Sequence, residues 1–302
     1  MSESRPLFVV NPSAGNGRAT KVMAQAARAF RGPAEVVQTT GPGDAERLAQ
    51  QGALEGFSPI VSVGGDGTVQ EVVNGLMRSP GPPPLGIVPA GSGNDAARTL
   101  RLPKDPVEGV RLAWSDRQGA IDLGTCNGRY FLNVAGVGLD TKVAAAVNQR
   151  VSRLSRSRAG YIWQALLELR RYANPEFIIH LDDQVMTSRC LLIAVANLRY
   201  FAGGMKICPQ ADPADGWLDV CIGGDLSHLE TLVLMPAIFV GQHGRHHKVT
   251  FHRVKTMRIE CPAGLDVQLD GEIGDTLPAE FKVVPRALRV MGWHPDEASP
   301  CV

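Results

Sequence analysis

The architecture this 302-residue sequence predicts is an α/β domain on a parallel sheet, followed by a β-rich domain built as an antiparallel sandwich or open barrel. Three observations carry it. Short apolar runs alternate with helical patterns through the first third, strand-like runs after about residue 118 follow one another with few helices between them, and every early strand ends in small or polar residues. Alternation of strand and helix implies right-handed crossovers and a parallel sheet, with ligands at the carboxyl ends of its strands. Strands that succeed one another without crossover helices imply antiparallel pairing. At 44% hydrophobic residues the chain can fill two cores.

Leu7 to Val10 is the first strand, and Asn11-Pro12-Ser13-Ala14-Gly15-Asn16-Gly17 leads it into a helix from about Arg18 to Phe30. Val36 to Thr39 is the second strand, with Asp44 expected to cap a helix through about Gly52. Pro59 to Val63 is the third, and Gly64-Gly65-Asp66-Gly67-Thr68 opens a helix running through Val69, Gln70 and on to Leu76. Leu85 to Pro89 is the fourth, ending in Ala90-Gly91-Ser92-Gly93-Asn94-Asp95 and a helix through Leu100. After a further helix that includes Val107 to Trp114, the pattern changes near 115 to 120, giving domains over 1–118 and 119–285. The second domain holds strand-like runs at Ile121 to Leu123, Tyr130 to Val134, Phe177 to Leu181, Cys190 to Ala196, Leu218 to Ile222, Val249 to Phe251, Met257 to Glu260 and Val267 to Leu269. Helices at about Thr141 to Asn148, Gly160 to Tyr172 and Leu229 to Val240 interrupt it. The last carries Pro236 and falls short of the roughly 20 residues of a membrane span, so it reads as a buried helix. The stretch 286–295, through Ala287 to Met291, is placed to return to the first domain.

Lysine plus arginine number 31 against 30 acidic residues, a balance that does not suggest wholesale binding of nucleic acid, so any basic function must be local. The six cysteines form no CxxC pair and the N-terminus has no charged-then-apolar leader, a pattern of reduced thiols in a cytoplasm. His243, His246 and His247 read as the basic, solvated end of the apolar helix. Arg150, Arg153, Arg156 and Arg158, ahead of Tyr161 and Trp163, read either as a polar loop or as a contact with anionic lipid headgroups.

The chemistry is concentrated in four places. Gly64 to Thr68 lets a phosphate approach backbone amides at a helix N-terminus, and Asp66 inside it implies a divalent cation between carboxylate and phosphate. Asn11 to Gly17, Thr39 and Gly91 to Asp95 offer further small or hydroxyl groups at neighbouring strand ends, although the first lacks the lysine of a Walker A loop. Asp212, Asp215 and Asp219 share a proline- and glycine-rich turn where Asp212, Asp215 and the carbonyl of Trp217 suit Mg²⁺ or Ca²⁺, while a solvated acidic turn suits them equally. Asp270 and Glu272 would point to one side of an extended chain, so that one serves as general base and the other binds metal or orients the nucleophile; a hairpin turn with exposed acids is the alternative.

Taken in order, these motifs, with Asn74-Gly75, Ala196-Asn197 and Gly203-Gly204-Met205-Lys206, resemble the diacylglycerol kinase catalytic-domain family in its compact bacterial, YegS-like lipid-kinase branch, related to ceramide and sphingosine kinases. The resemblance implies an NAD-kinase-like α/β domain followed by a β-sandwich, with ATP between them and magnesium at Asp66. It implies ATP contacts from Asn11, Pro12, Ser13, Ala14, Gly15, Thr39, Gly64, Gly65, Asp66, Gly67, Thr68, Val69, Gln70 and Ser92, of which Gln70 and Ser92 stand where relatives carry Asn and Thr. It further implies a structural metal on Asp212, Asp215 and Trp217, and Glu272 as proton acceptor with Asp270 as its rival. The expected function is ATP- and Mg-dependent phosphorylation of a lipid hydroxyl, diacylglycerol-type, by a cytoplasmic protein peripheral to the membrane's inner face, with a homodimer as a further partner. An NAD kinase and a non-catalytic nucleotide-binding regulator are the other readings.

Overall fold

The computed structural model describes residues 5–29, 34–149 and 158–295, and the chain divides into two compact units, 1–123 with 285–302, and 124–284. The arginine run from Arg150 to Ser157 lies outside the described residues.

In the first unit, β1 (Leu7–Val10), α1 (Arg18–Ala29), β2 (Glu35–Gln38), α2 (Asp44–Leu54), β3 (Ile60–Gly64), α3 (Asp66–Met77), β4 (Leu85–Pro89), α4 (Asp95–Thr99) and α5 (Pro106–Ala113) follow in turn. The sheet order is β2-β1-β3-β4, all parallel. Chain order therefore reverses at β1, where a crevice forms at the strands' carboxyl ends. β1, β3 and β4 are buried throughout, as strands covered on both faces must be, while the edge strand β2 alternates. Phe8, Val10, Val61, Val63 and Val88 pack on Ala19 and Val22 of α1 and on Val110 and Ala113 of α5. α2 and α3 meet closely because position 75 is glycine: a Cβ there would lie 2.2 Å from the Glu46 carbonyl oxygen. Gly43, with φ of +80°, is the N-cap of α2. Asp44 is instead the first helical residue, and its carboxylate accepts hydrogen bonds from the Thr40 amide and hydroxyl.

Two strands carry the chain across the boundary: β5 (Gln118–Cys126) into the second unit, and a 13-residue strand, numbered last below, back out of it. Within the first unit the buried Asp122 accepts a hydrogen bond from the Arg286 amide at 2.7 Å.

The second unit continues with β6 (Arg129–Phe131), β7 (Val134–Gly138), α6 (Leu139–Gln149), α7 (Arg158–Leu169), β8 (Glu176–Leu181), β9 (Gln184–Arg189), β10 (Leu192–Ala196), β11 (Tyr200–Phe201), β12 (Met205–Lys206) and β13 (Leu218–Gly223). Then come α8 (His228–Val240), β14 (Val249–Val254), β15 (Thr256–Glu260), β16 (Asp266–Leu269), β17 (Glu272–Thr276) and β18 (Ala279–Met291), whose end pairs in parallel with β4 through Val290 and Leu85. One antiparallel sheet runs β14-β13-β10-β7-β16-β17, and a second joins the start of β18 to β15, β8 and β9. Alternation along each strand decides what lies between them. Ile193 and Val195, with Leu218, Val220 and Ile222, enter the core shared with Phe177, Ile179, Ile259 and Phe281 of the other sheet. Ala194, Ala196 and Cys221 face the other way, onto α6, α7 and α8.

Three sequence expectations fail here, in whole or in part. Tyr130 to Val134 is not one strand but two, broken at Leu132 and Asn133 by contacts described below. α8 is not a buried helix: Thr231 is its one buried residue, while Leu229 and Val233 are more than 75% exposed. Apolar content predicts burial only where a neighbour exists to cover each face, and α8 is covered on one side. The histidines at its end divide as well. His243 is buried, with Nε2 3.0 Å from the Ile207 carbonyl, and burial lowers its pKa.

Candidate active site

In the first unit the loops after β1, β3 and β4 meet backbone to backbone, and glycine makes this contact achievable. A Cβ at Gly15 would lie 2.1 Å from the Ala90 carbonyl oxygen, and one at Gly91 would lie 2.4 Å from the Gly65 Cα. Asn11 ties two of the loops: its Nδ2 donates to Thr68 Oγ1 at 3.0 Å, and its Oδ1 accepts from the Ser13 amide at 3.0 Å. Thr39 continues the β2 ladder by donating its amide to the Val10 carbonyl at 2.9 Å. Asn11 to Gly15, Thr39, Gly64 to Thr68 and Ser92 are thus gathered at one end of the parallel sheet. Val69 and Gln70 belong to the same helix start, but their side chains are buried beneath it.

The start of α3 is the centre of this arrangement. No side chain caps it, so its first amides, which have no partner within the helix, face the convergence of the three loops. Asp66 is the first helical residue. Its Oδ1 accepts from the amides of Asp95 at 2.7 Å and Ala96 at 3.1 Å, so a residue of the β3 turn caps α4. Burial raises its pKa, and the amides of Ala96 and Asp95 act against that rise. Ser92 is exposed on the turn before α4, where Asn94 folds back so that its Oδ1 accepts from the Gly91 amide at 2.9 Å.

In the second unit Asp270 and Gly271 form a two-residue hairpin between Leu269 and Glu272, with φ of +52° and +94°. Asp-Gly favours this turn because both positions need positive φ. The extended geometry expected of 270 and 272 is therefore absent, and the two carboxylates part. Asp270 Oδ2 accepts from the Leu132 amide at 2.8 Å, and Oδ1 accepts from Asn133 at 2.8 Å and Val134 at 2.9 Å. Asn197 holds the same break between β6 and β7 by donating to the Leu132 carbonyl at 3.0 Å. Glu272 stays half-buried, 3.6 Å from the Arg129 guanidinium.

A buried relay that sequence reasoning missed supports this hairpin. Val267 and Leu269 enter the sandwich core, so strand alternation turns Gln268 between them away from it. Its Oε1 accepts from the Gly271 amide at 2.7 Å and its Nε2 donates to Asp140 Oδ2 at 3.3 Å. Asp140 stands over Gly136, where a Cβ would lie 1.7 Å from the carboxylate. Its Oδ1 is buried without a hydrogen-bond partner, and burial pushes its pKa up to about 6. An acid in the first turn of an apolar helix was the one sequence signal for it.

The acidic turn is more occupied than its composition suggests. Asp212 Oδ1 accepts from the Ala214 amide at 3.0 Å, Asp215 Oδ1 accepts from the Trp217 amide at 3.1 Å, and Arg253 pairs with Asp215 Oδ2. Asp219 is buried at the start of β13; burial pushes its pKa up to about 6, with Arg253 lowering it and Asp215 and Asp212 adding to the rise. Hard oxygen donors are present, yet a guanidinium stands beside Asp215. Among the described residues no three His, Cys, Asp or Glu side chains are grouped to hold a metal ion.

Residues 5–126 match the diacylglycerol kinase catalytic domain, and residues 133–292 match the YegS C-terminal NAD kinase beta sandwich-like domain. The chain is similar to the diacylglycerol kinase of Mycobacterium tuberculosis, 35% identical over 295 residues that cover 94% of this chain and 93% of that one. Its likeness to the diacylglycerol kinase of Bacillus subtilis is 29% over 293 residues, covering 95% and 96%. A Bacillus anthracis chain whose crystal structure is assigned to the diacylglycerol kinases superposes with a TM-score of 0.81 at 26% identity, over 97% of this chain and 96% of that chain. On these matches, which run through both units, the chain belongs to the diacylglycerol kinase catalytic-domain family, in its YegS-like branch of lipid kinases.

Proposed function

We propose that this lipid kinase transfers the γ-phosphoryl group of ATP to the hydroxyl of a diacylglycerol-type lipid presented at the inner face of a membrane. The observation that carries the nucleotide half is the uncapped first turn of α3, set among three glycine loops with Asp66 at its first position. When bound, ATP with Mg²⁺ supplies the phosphoryl group and neutralises its charge. The amides of Gly67 and Thr68 would hold phosphate oxygens and the Asp66 carboxylate would hold the cation, while Asn11 fixes the loop that Thr68 anchors and Asp66 Oδ1 caps α4. Glu272 is the base that takes the acceptor hydroxyl's proton, because both oxygens of Asp270 already accept from backbone amides. A second divalent ion would use Asp212, Asp215 and the Trp217 carbonyl, taking the place of Arg253 beside Asp215.

The deciding experiment incubates the protein with labelled ATP, Mg²⁺ and either a total lipid extract or NAD. A labelled diacylglycerol-type product supports the reading. Label on NAD alone, or ATP binding with no transfer to any acceptor, overturns it.

A further inference from the structure

α8 reverses the usual patterning of a surface helix. Leu229, Leu232, Val233, Pro236 and Val240 are exposed, with Leu229 at 76%, Val233 at 77% and Val240 at 63%. Their spacing, three, four, seven and eleven residues from the first, draws one stripe along the helix. Thr231, Leu234 and Met235, on the opposite side, turn toward the second unit's core. The stripe carries no charge. Glu230, the helix's one carboxylate, is held at the N-terminus by the Ser227 amide and by Lys248 Nζ at 2.9 Å.

The charge around the stripe is uneven. Past its C-terminal end come exposed Arg245 and His247, and Lys206 lies alongside, its Cδ 3.3 Å from where a Cβ of Gly241 would be. At the other end Asp225 is exposed, and Asn174 Nδ2 donates to it at 2.8 Å. An uncharged stripe edged by cations is complementary to acyl chains beneath anionic headgroups. The 13 residues of α8 reach only about 20 Å along the axis, too short to span a bilayer and suited to lie in its surface.

We propose that α8 docks flat on an anionic phospholipid bilayer, its Leu229–Val240 stripe among the outer acyl carbons and Lys206 and Arg245 at the headgroups. The proposal rests on the reading that the acceptor is a membrane lipid. The test sediments the full chain with vesicles of phosphatidylglycerol and phosphatidylcholine, without nucleotide, comparing wild type, Leu229→Ser with Val233→Ser, and Leu229→Trp. The double serine variant should partition at least tenfold more weakly yet phosphorylate a water-dispersed short-chain diacylglycerol at the wild-type rate. Leu229→Trp should partition more strongly, a gain that no folding defect produces, and added salt should weaken wild-type binding. Unchanged partition of the serine variant overturns the proposal, as does a shift of its oligomeric mass at unchanged partition, which would make the stripe a subunit interface. A wild type that binds vesicles through α8 but phosphorylates no lipid would refute the acceptor reading and leave the docking face standing.

Discussion

Asp66 and Asp270 occupy equivalent-looking places, each in a glycine turn at the end of a strand, one in each unit of the molecule. Asp66 keeps helical geometry and uses Oδ1 on two amides of α4, beside a helix start whose own amides no side chain caps. Asp270 sits at φ +52° with both oxygens bound to three amides at the β6–β7 break. What a carboxylate can do for chemistry depends on how many of its lone pairs the fold has already claimed. By that measure Asp270 is a tie between strands, and Asp66, which accepts from the amides of Asn94, Asp95 and Ala96, is first of all a cap of α4.

The most severe test of this contrast is Glu272→Gln. With Glu272 as the proposed base, its loss should lower kcat by about 10²–10⁴-fold, with the melting temperature unchanged because the side chain is half-buried beside Arg129. Turnover near wild type in a folded variant would return the role to Asp270. Asp66→Asn comes next and separates two jobs: its Oδ1 can still accept from α4, so stability should hold while phosphoryl transfer falls by about tenfold or more for want of the negative charge. Asp66→Ala should lose transfer and, in urea titrations, a further ~1 kcal/mol of stability with the cap. Asp270→Ala should act on folding, costing about 4 kcal/mol by stranding three amides, with the folded fraction still active. A stability loss under about 1 kcal/mol would refute the tie.

The remaining effect concerns pH. The Asp140 pKa rises from 3.8 to about 6 on folding, so the native state holds the proton more tightly than the unfolded chain. This contribution is complete below the unfolded value and is lost as pH climbs to about 6, at about 1.4 kcal/mol per unit, or roughly 3 kcal/mol in all. Denaturation curves of Asp140→Asn across that window should lack this decline, so that the variant gains on wild type as pH rises. Parallel curves would dismiss Asp140 as the source.

The parallel half of the fold was legible because its buried strands are continuous apolar runs and its turns are rich in glycine. The edges of the sandwich were not. β9 reads Gln184 to Arg189 with no buried residue, and β17 starts at Glu272, so neither shows an apolar alternation. The break at Leu132 is imposed by Asp270, far along the chain, and no local pattern contains it. For the candidate site, glycine spacing located the loops that meet at the strand ends. The Asp-Gly pair at 270 and 271 carried a hairpin signal that an extended reading passed over, and the relay from Asp140 through Gln268 exists only after β7 and β16 have paired.

The hydrogen bond between Asp122 and Arg286 has a genealogical consequence. Residues 124–284 leave and re-enter the first unit on β5 and β18, which the Asp122 side chain ties together at that point by accepting from the Arg286 amide. In genetic language the second unit is one uninterrupted stretch of coding sequence with adjoining ends, so it can be exchanged whole while the first unit's chain is opened at a single place.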